Sequence, residues 1–358
     1  MRNTADGNIL EIIQAGIAAP SVDNCQPWFF STENNIITIE MDHKRADFFG
    51  DANYAAAYIT FGSVIENMAI ASLHCGFDAK IKYFPEGITS NKIAQIQLLR
   101  DSKTSSSLYD SIYRRHTNRN PYREKPLPPE TREAFSNLRV SFPGAQLFLI
   151  EAKEKIKKIA GLIKKVETII YGHKQLHSDL FKWIRWSDHE TIKTKDGLPI
   201  KALQISFPQE IGLKFISSWK RMHLLNTFGA SNLAADYSYR LALKSAALGF
   251  ITMEHNRPED YIDGGRFFQR LWLTATSENL SLHPLGALIF FLSKFRLNGG
   301  EGFAPKQRQI LRYVHDALCD LFPIKNDTGL IMLFRIGYAA APPTARALRR
   351  PVSEVLIS

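Results

Sequence analysis

Between Asn8 and Ala19, apolar residues fall at Ile9, Leu10, Ile12, Ile13 and Ile17. That spacing is one face of a helix, and Pro20 ends it. Asn35–Met41 alternates apolar and polar positions, as a half-buried strand does. Phe61–Cys75 returns to the helical spacing, with Gly76 where a left-handed cap is wanted. Asp78–Phe84 and Ile93–Leu99 read as two strands that could pair. Ser102–Ser107 is polar and reads as a boundary loop. A helix start at Leu108–Arg115 and a turn-rich stretch at Asn118–Pro129 follow. Ala145–Ile150 then reads as a strand and Lys153–Ile170 as a basic amphipathic helix. Residues 171–235 carry Trp183, Trp186 and Trp219 without a sustained period, which predicts short helices forming an insertion or lid. Tyr237–Leu248 and Gly265–Glu278 predict helices, and Ile331–Gly337 a strand. Ala339–Ser358 is Pro- and Arg-rich and predicts a mostly extended end.

A weak internal repeat runs through this pattern. Gly62 precedes Gly76-Phe77 by the same interval at which Gly265 precedes Asn279-Leu280, and Ile70 and Leu273 occupy equivalent places. Asn tolerates the left-handed conformation that Gly76 would supply. The repeat predicts two related halves, an intramolecular version of a two-fold dimer.

Composition narrows the class. The 358 residues are 45% apolar and 22% charged, ordinary values for a globular chain of about two domains. Runs such as Ala287–Leu292 are too short to span a bilayer, which takes roughly 20 residues. The start, MRNTADGNIL, does not resemble a signal peptide. Cys25, Cys75 and Cys319 are odd in number and far apart, which suggests a reducing, cytoplasmic compartment. The net charge of +10 makes polyanions candidate partners. Its arginines gather in two short clusters, Arg114, Arg115, Arg119 and Arg123, then Arg346, Arg349 and Arg350. Both lie beside apolar segments, which suits one small polyanion better than a nucleic acid.

Two constellations offer chemistry. Ala19-Pro20-Ser21-Val22-Asp23-Asn24-Cys25-Gln26-Pro27-Trp28 presents Ser, Asn and Gln side chains that could meet a planar polar ligand edge. The same residues also suit an ordinary capped loop. Arg115, Thr117 and Arg119 place two guanidinium groups and a hydroxyl within five residues, a plausible phosphate grip. A solvated helix end would look the same. His173 and His177 are four apart, but Lys174 stands where a zincin Glu would be, so no metal is expected.

These residues carry a resemblance. APSVDNCQPWFF after an amphipathic helix resembles the flavin-contacting motif of the nitroreductase superfamily. RRHTNRNPY with KPLPPE resembles its phosphate-side motif, and the Gly62–Gly76 helix its long dimer-core helix. LWLTATSENLSLHPLG resembles the segment along the isoalloxazine, and LFRIGYAAAPPTARALRRPVSEVL the basic C-terminal strand. Together with WIRWSDHETIKTKDGLPIKAL, the order of these motifs is similar to that of the Acg-like FMN-binding subgroup, in which two nitroreductase-like halves are fused.

The resemblance implies an α+β fold, a mainly antiparallel sheet between helices with an internal pseudo-two-fold. The halves would be residues 1–105 and 106–358, with the lid at about 171–235 in the second. It implies FMN as cofactor, with Ser21, Asn24 and Gln26 near the ring and ribityl side. Arg115, Thr117 and Arg119, with Arg114 beside them, would grip the phosphate or ribityl chain, and Arg349 or Arg350 would add charge. Pro284, Leu285 and Gly286 would supply backbone contacts near the reactive ring nitrogen. Asp23, Cys25 and His283 depart from the commonest choices. The implied activity is an NAD(P)H-dependent oxidoreductase reducing nitroaromatic or quinone-like acceptors, with no side-chain acid or base assigned. The alternative is a flavin-sequestering protein whose lid blocks turnover. No nucleic acid or membrane partner is expected, and a monomer is possible.

Overall fold

The computed structural model describes residues 2–101 and 107–357, with side chains from Gly7 onward. The expected boundary loop Ser102–Ser107 therefore falls outside the described residues, apart from Ser107. Helix α1 (Arg2–Ile17) leads through the 18–27 loop into β1 (Trp28–Glu33) and β2 (Ile36–Met41). Helix α2 (Ala55–His74) follows, then β3 (Phe77–Tyr83) and β4 (Lys92–Arg100). These strands form an antiparallel sheet in the order β1-β2-β4-β3. The two strands expected to pair do so, with Ile81 opposite Ile96.

The second sheet contains β5 (Ala145–Ile150), β6 (Ala247–Met253), β7 (Ser281–Pro284) and β8 (Gly329–Gly337), in the order β5-β6-β8-β7. All its pairings are antiparallel. Its helices are α3 (Lys153–Gly172), α4 (Phe207–Ile216), α5 (Trp219–Asn226), α6 (Ala230–Leu243), α7 (Pro258–Ser277), α8 (Gly286–Asn298) and α9 (Pro305–Cys319). The chain is thus α+β, as expected. Short strands Ile184–Arg185 and Leu198–Pro199 pair in parallel within residues 171–235.

Helix α2 is buried nearly all round and packs along α7. By length and composition it could cross a bilayer, but here it is the core. The approach is close because Gly62 and Gly265 meet at the crossing: a Cβ on Gly62 would stand 2.8 Å from Gly265 Cα. Both helices end on the expected left-handed residues, Gly76 at φ +79° and Asn279 at φ +60°. A polar ladder crosses the same interface. Gln269 Nε2 donates to Asn67 Oδ1 (2.7 Å), and Asn67 Nδ2 donates to the Ala15 carbonyl of α1 (2.9 Å). The fully buried Glu66 pairs with Arg266 (3.2 Å) and Arg270.

One expected helix is corrected. Tyr237–Leu248 is helical only to Leu243, and Leu248 belongs to β6. Every residue of β6 is buried, and a strand covered on both faces has no alternation to reveal it. The C-terminal segment is extended as expected until the short helix Val352–Val355. Its last residues return to the first sheet, where Ile357 N–H donates to Phe30 O (2.7 Å).

Candidate functional site

The 18–28 loop is held open by three side-chain-bearing residues in the left-handed region: Asp23 (φ 47°), Asn24 (φ 58°) and Gln26 (φ 51°). Such conformations are costly outside glycine and need outside support. Ser21 Oγ accepts from Gln26 N–H (3.0 Å). Asn24 Nδ2 donates to Gly197 O and Leu348 O (2.9 Å each), and its Oδ1 accepts from Arg349 Nη1 (2.6 Å). Gln26 Nε2 donates to Lys195 O (2.9 Å), and its Oε1 accepts from Arg350 N–H (2.8 Å). The loop is therefore clasped by the 195–197 turn and the 348–350 segment.

Beside this loop lies a cavity of about 920 Å³. Its wall draws on Ser21, Asp23, Asn24 and Thr60, on Arg115, Thr117 and Arg119, on α7 (Phe268, Trp272) and on His283, Pro284, Gly286 and Ala287. Residues 171–235 add Leu176, Asp179, Leu198, Leu213 and Leu233 among others.

One end of the cavity is cationic. Arg115 is buried, donates from Nη2 to Ala18 O (3.0 Å), and lies 4.5 Å over the Trp272 ring. Its Nε is buried without a hydrogen-bond partner among the described residues. Arg349 grips the end of α1, donating to Ile17 O (3.1 Å) and Ala19 O (3.0 Å). Arg346 donates to Tyr113 O (2.8 Å). None of the three forms an ion pair among the described residues. Burial, with Arg349 and Arg346 nearby, pushes the Arg115 guanidinium down to about 9, and burial pushes Arg349 down to about 10. Positive charge here lacks compensation, so an anion would be stabilised. Arg119 donates to Ala202 O (3.1 Å), and its N–H to Gln204.

The wall also holds acids and a histidine. Burial, opposed by Arg119 and reinforced by Asp179, pushes the Asp23 carboxyl up to about 6. Burial pushes Glu167 up to about 7. Arg335, fully buried in β8, donates from Nε to His283 Nδ1 (3.0 Å). Because a guanidinium only donates, the neutral His283 ring must carry its proton on Nε2. Burial and the charge of Arg335 hold its pKa well below the usual histidine range. At the start of α8, Pro284 has no N–H, and Leu285 N–H is engaged by Leu333 O (2.7 Å). Gly286 and Ala287 then offer first-turn N–H groups with no intrahelical acceptor.

Of the residues singled out in the sequence, Ser21, Asn24, Arg115, Thr117, Arg119, Pro284, Gly286 and Arg349 come together on this wall. The other four do not line it. Gln26 is fully buried behind the loop. Arg350 is buried too, donating to Gln26 O (2.8 Å) and Trp28 O (3.0 Å). Arg114 is exposed and donates to Asn279 Oδ1 (2.8 Å). Leu285 is buried just beneath. Trp272, Asp179, Glu167 and Tyr237 line the cavity as well, and the sequence alone does not mark them as site residues. Trp272 lies inside the motif that resembles the isoalloxazine segment. The others sit on amphipathic helices whose polar positions look solvent-facing in sequence. His173 and His177 do not converge on a site: His177 meets Ile216 O (2.8 Å), and His173 stacks on Phe49.

No family profile matches the chain. A Mycobacterium tuberculosis protein of uncharacterized function is 21% identical over 340 residues, 95% of this chain and 47% of its own length. The M. tuberculosis protein Acg, whose name assigns it provisionally to the NAD(P)H nitroreductases, is 25% identical over 199 residues, 54% of this chain and 58% of its own. The chain spans about half the length of the curated relatives it matches. Among solved structures, the FMN-dependent nitroreductase NfnB from Mycobacterium smegmatis in complex with NADPH is similar at TM-score 0.38 and 16% identity, covering 69% of this chain and 97% of that one. A BluB-like flavoprotein from Clostridium difficile is similar at TM-score 0.39 and 12% identity, covering 71% and 99%. From its motif order and its sequence relationship, the chain is a homologue of Acg.

Proposed function

We propose that the cavity binds FMN and that the protein is an NAD(P)H-dependent oxidoreductase for nitroaromatic or quinone-like acceptors. The observation that carries this is the uncompensated arginine cluster: Arg115, with an orphaned buried Nε, beside Arg349 and Arg346. A phosphate bearing about −1.5 to −2 charge is the anion such a cluster stabilises. The volume of about 920 Å³ accommodates a planar ring system beyond the anion.

In this reading each half contributes. Arg115, Thr117 and Arg119 bind the phosphate or ribityl chain. Arg349 adds charge while tethering Asn24, so the first-half loop is positioned by the phosphate side. Trp272 and Phe268 give an apolar wall, while Gly286 N–H and His283 Nε2–H supply neutral donors toward developing negative charge. FMN, when bound, supplies the hydride chemistry between NAD(P)H and the acceptor. The provisional nitroreductase name of the sequence relative Acg supports this reading.

A second reading is sequestration of flavin with little turnover. It is favoured by the extent to which residues 171–235 wall the cavity. The deciding experiment is spectroscopic. Purified protein should carry flavin absorbance that bleaches on adding NADH or NADPH anaerobically. Bound flavin that does not bleach supports sequestration, and absence of any flavin affinity contradicts both readings.

A further inference from the structure

Residues 207–233 expose apolar side chains that the rest of the described chain leaves uncovered. Phe207 is 73% exposed, Phe228 82% and Leu233 73%. Ile211, Phe215 and Leu224 are exposed as well. On α4, Phe207, Ile211 and Phe215 are four residues apart and form one stripe. Helix α5 packs against α4 and α6. Arg221 Nη1 donates to Phe215 O (3.5 Å), with its guanidinium 4.8 Å from the Phe215 ring centre. An apolar surface of this kind on one element group is not ordinary scatter.

Its rim is cationic. Lys214, Lys220 and Arg221 are exposed, against a single carboxylate, Glu210, in the same stretch. The opposite side of α4 (Gln209, Leu213, Ile216) walls the cavity, and Leu233 belongs to both surfaces. The apolar face and the cavity therefore share one helix.

We propose that this face docks on the surface of an anionic lipid bilayer, with Phe207, Ile211, Phe215 and Phe228 at the headgroup boundary. Aromatic and aliphatic residues on one side of an interfacial helix and lysines or arginines around them match that solvent. A second copy of the chain fits less well. An isologous contact would set Lys214, Lys220 and Arg221 near their own counterparts, on a chain that already carries +10. The attachment proposed is peripheral, not spanning. One consequence rests on the proposed function: quinone-like acceptors that partition into lipid would meet the cavity wall at the membrane surface. Docking itself stands apart from flavin binding.

The test is sedimentation of the full chain with vesicles of equimolar phosphatidylglycerol and phosphatidylcholine, and with phosphatidylcholine alone. Binding to the anionic vesicles is expected, weakening as salt is raised. A Phe207→Ser, Phe215→Ser double variant should partition at least about tenfold less. Lys214→Gln with Lys220→Gln should lower partition several-fold. Far-ultraviolet circular dichroism and released flavin per chain should be unchanged in both, which separates failed docking from failed flavin binding. The proposal is overturned if wild-type protein binds neither vesicle, or if the double Phe variant binds as wild type does. It is also overturned if the face instead drives a concentration-dependent dimer that the Phe changes abolish.

Discussion

Gly62 and Gly265 stand back to back where α2 crosses α7. A Cβ on Gly62 would meet the Ile262 carbonyl and lie 2.8 Å from Gly265 Cα, and one on Gly265 would meet the Ile59 carbonyl. Each glycine thus fixes the approach of the other's helix. Gly62→Ala or Gly265→Ala should each destabilise by about 1–3 kcal/mol or more through overpacking, seen as a lower midpoint in denaturant. Gly161→Ala on α3 is the control: nothing lies within 4 Å of its Cβ, so it should stabilise by about 0.5–1 kcal/mol.

Arg115 and Arg114 are neighbours with opposite assignments. Arg115→Ala should weaken FMN binding by roughly 2–4 kcal/mol, the cost of removing one partner of a buried charged contact. Arg114→Ala, whose guanidinium reaches outward to Asn279, should leave affinity within a few-fold. Titration by flavin fluorescence distinguishes them. Equal losses would place the phosphate elsewhere.

Asp23 sets a pH dependence. Its carboxyl is pushed up to about 6, mainly by burial, from an ordinary value of 3.8. A raised acid favours the folded state below its unfolded value and loses that stability as pH rises through the folded one. Stability should therefore fall between about pH 4 and 6 by on the order of 1–3 kcal/mol from this group. Asp23→Asn should flatten that fall, as read from melting temperatures at pH 4.5 and pH 7.5. An unchanged pH profile would show that Asp23 titrates normally.

Asp196 ties the 195–197 turn to Arg45, ahead of α2. It accepts from Arg45 Nη1 (2.9 Å) and Arg185 Nη2 (2.6 Å). Burial raises its pKa, but the hydrogen bonds from Arg185 and Arg45 outweigh it and hold the carboxyl below its usual value. This contribution is present above pH 4 and is lost as pH falls. Asp196→Ala leaves two guanidinium groups half-buried and should cost about 2–4 kcal/mol. Iodide should then quench bound flavin more readily. Quenching identical to wild type would mean that the insertion does not restrict access.

Much of this was legible because the signals are local. Gly76 and Asn279 announce helix ends by their backbone freedom, and Arg115, Thr117 and Arg119 converge within one turn-rich segment. What the sequence hid is tertiary. Nothing local says that Ser21 faces the cavity while Gln26, five residues on, turns inward to Lys195 and Arg350. Arg350 reads like Arg349, yet only Arg349 lies on the wall. The first residues of β6 read as a helix end because both faces of that strand are covered. The acids Glu167 and Asp179 look like solvent-facing helix residues until α3 and the insertion enclose them.

The central claim is one FMN site, completed inside a single chain by the first-half loop and the Arg115–Arg119 segment. A second site would need a loop after Pro129, where SNLRVSFPGAQLF lacks a Gln-Pro-Trp. Heat release of flavin from FMN-saturated, dialysed protein of known concentration, with chromatographic identification, tests this directly. The account predicts FMN at a ratio near one per chain. A ratio near two, a release that runs as FAD, or none at all would contradict it.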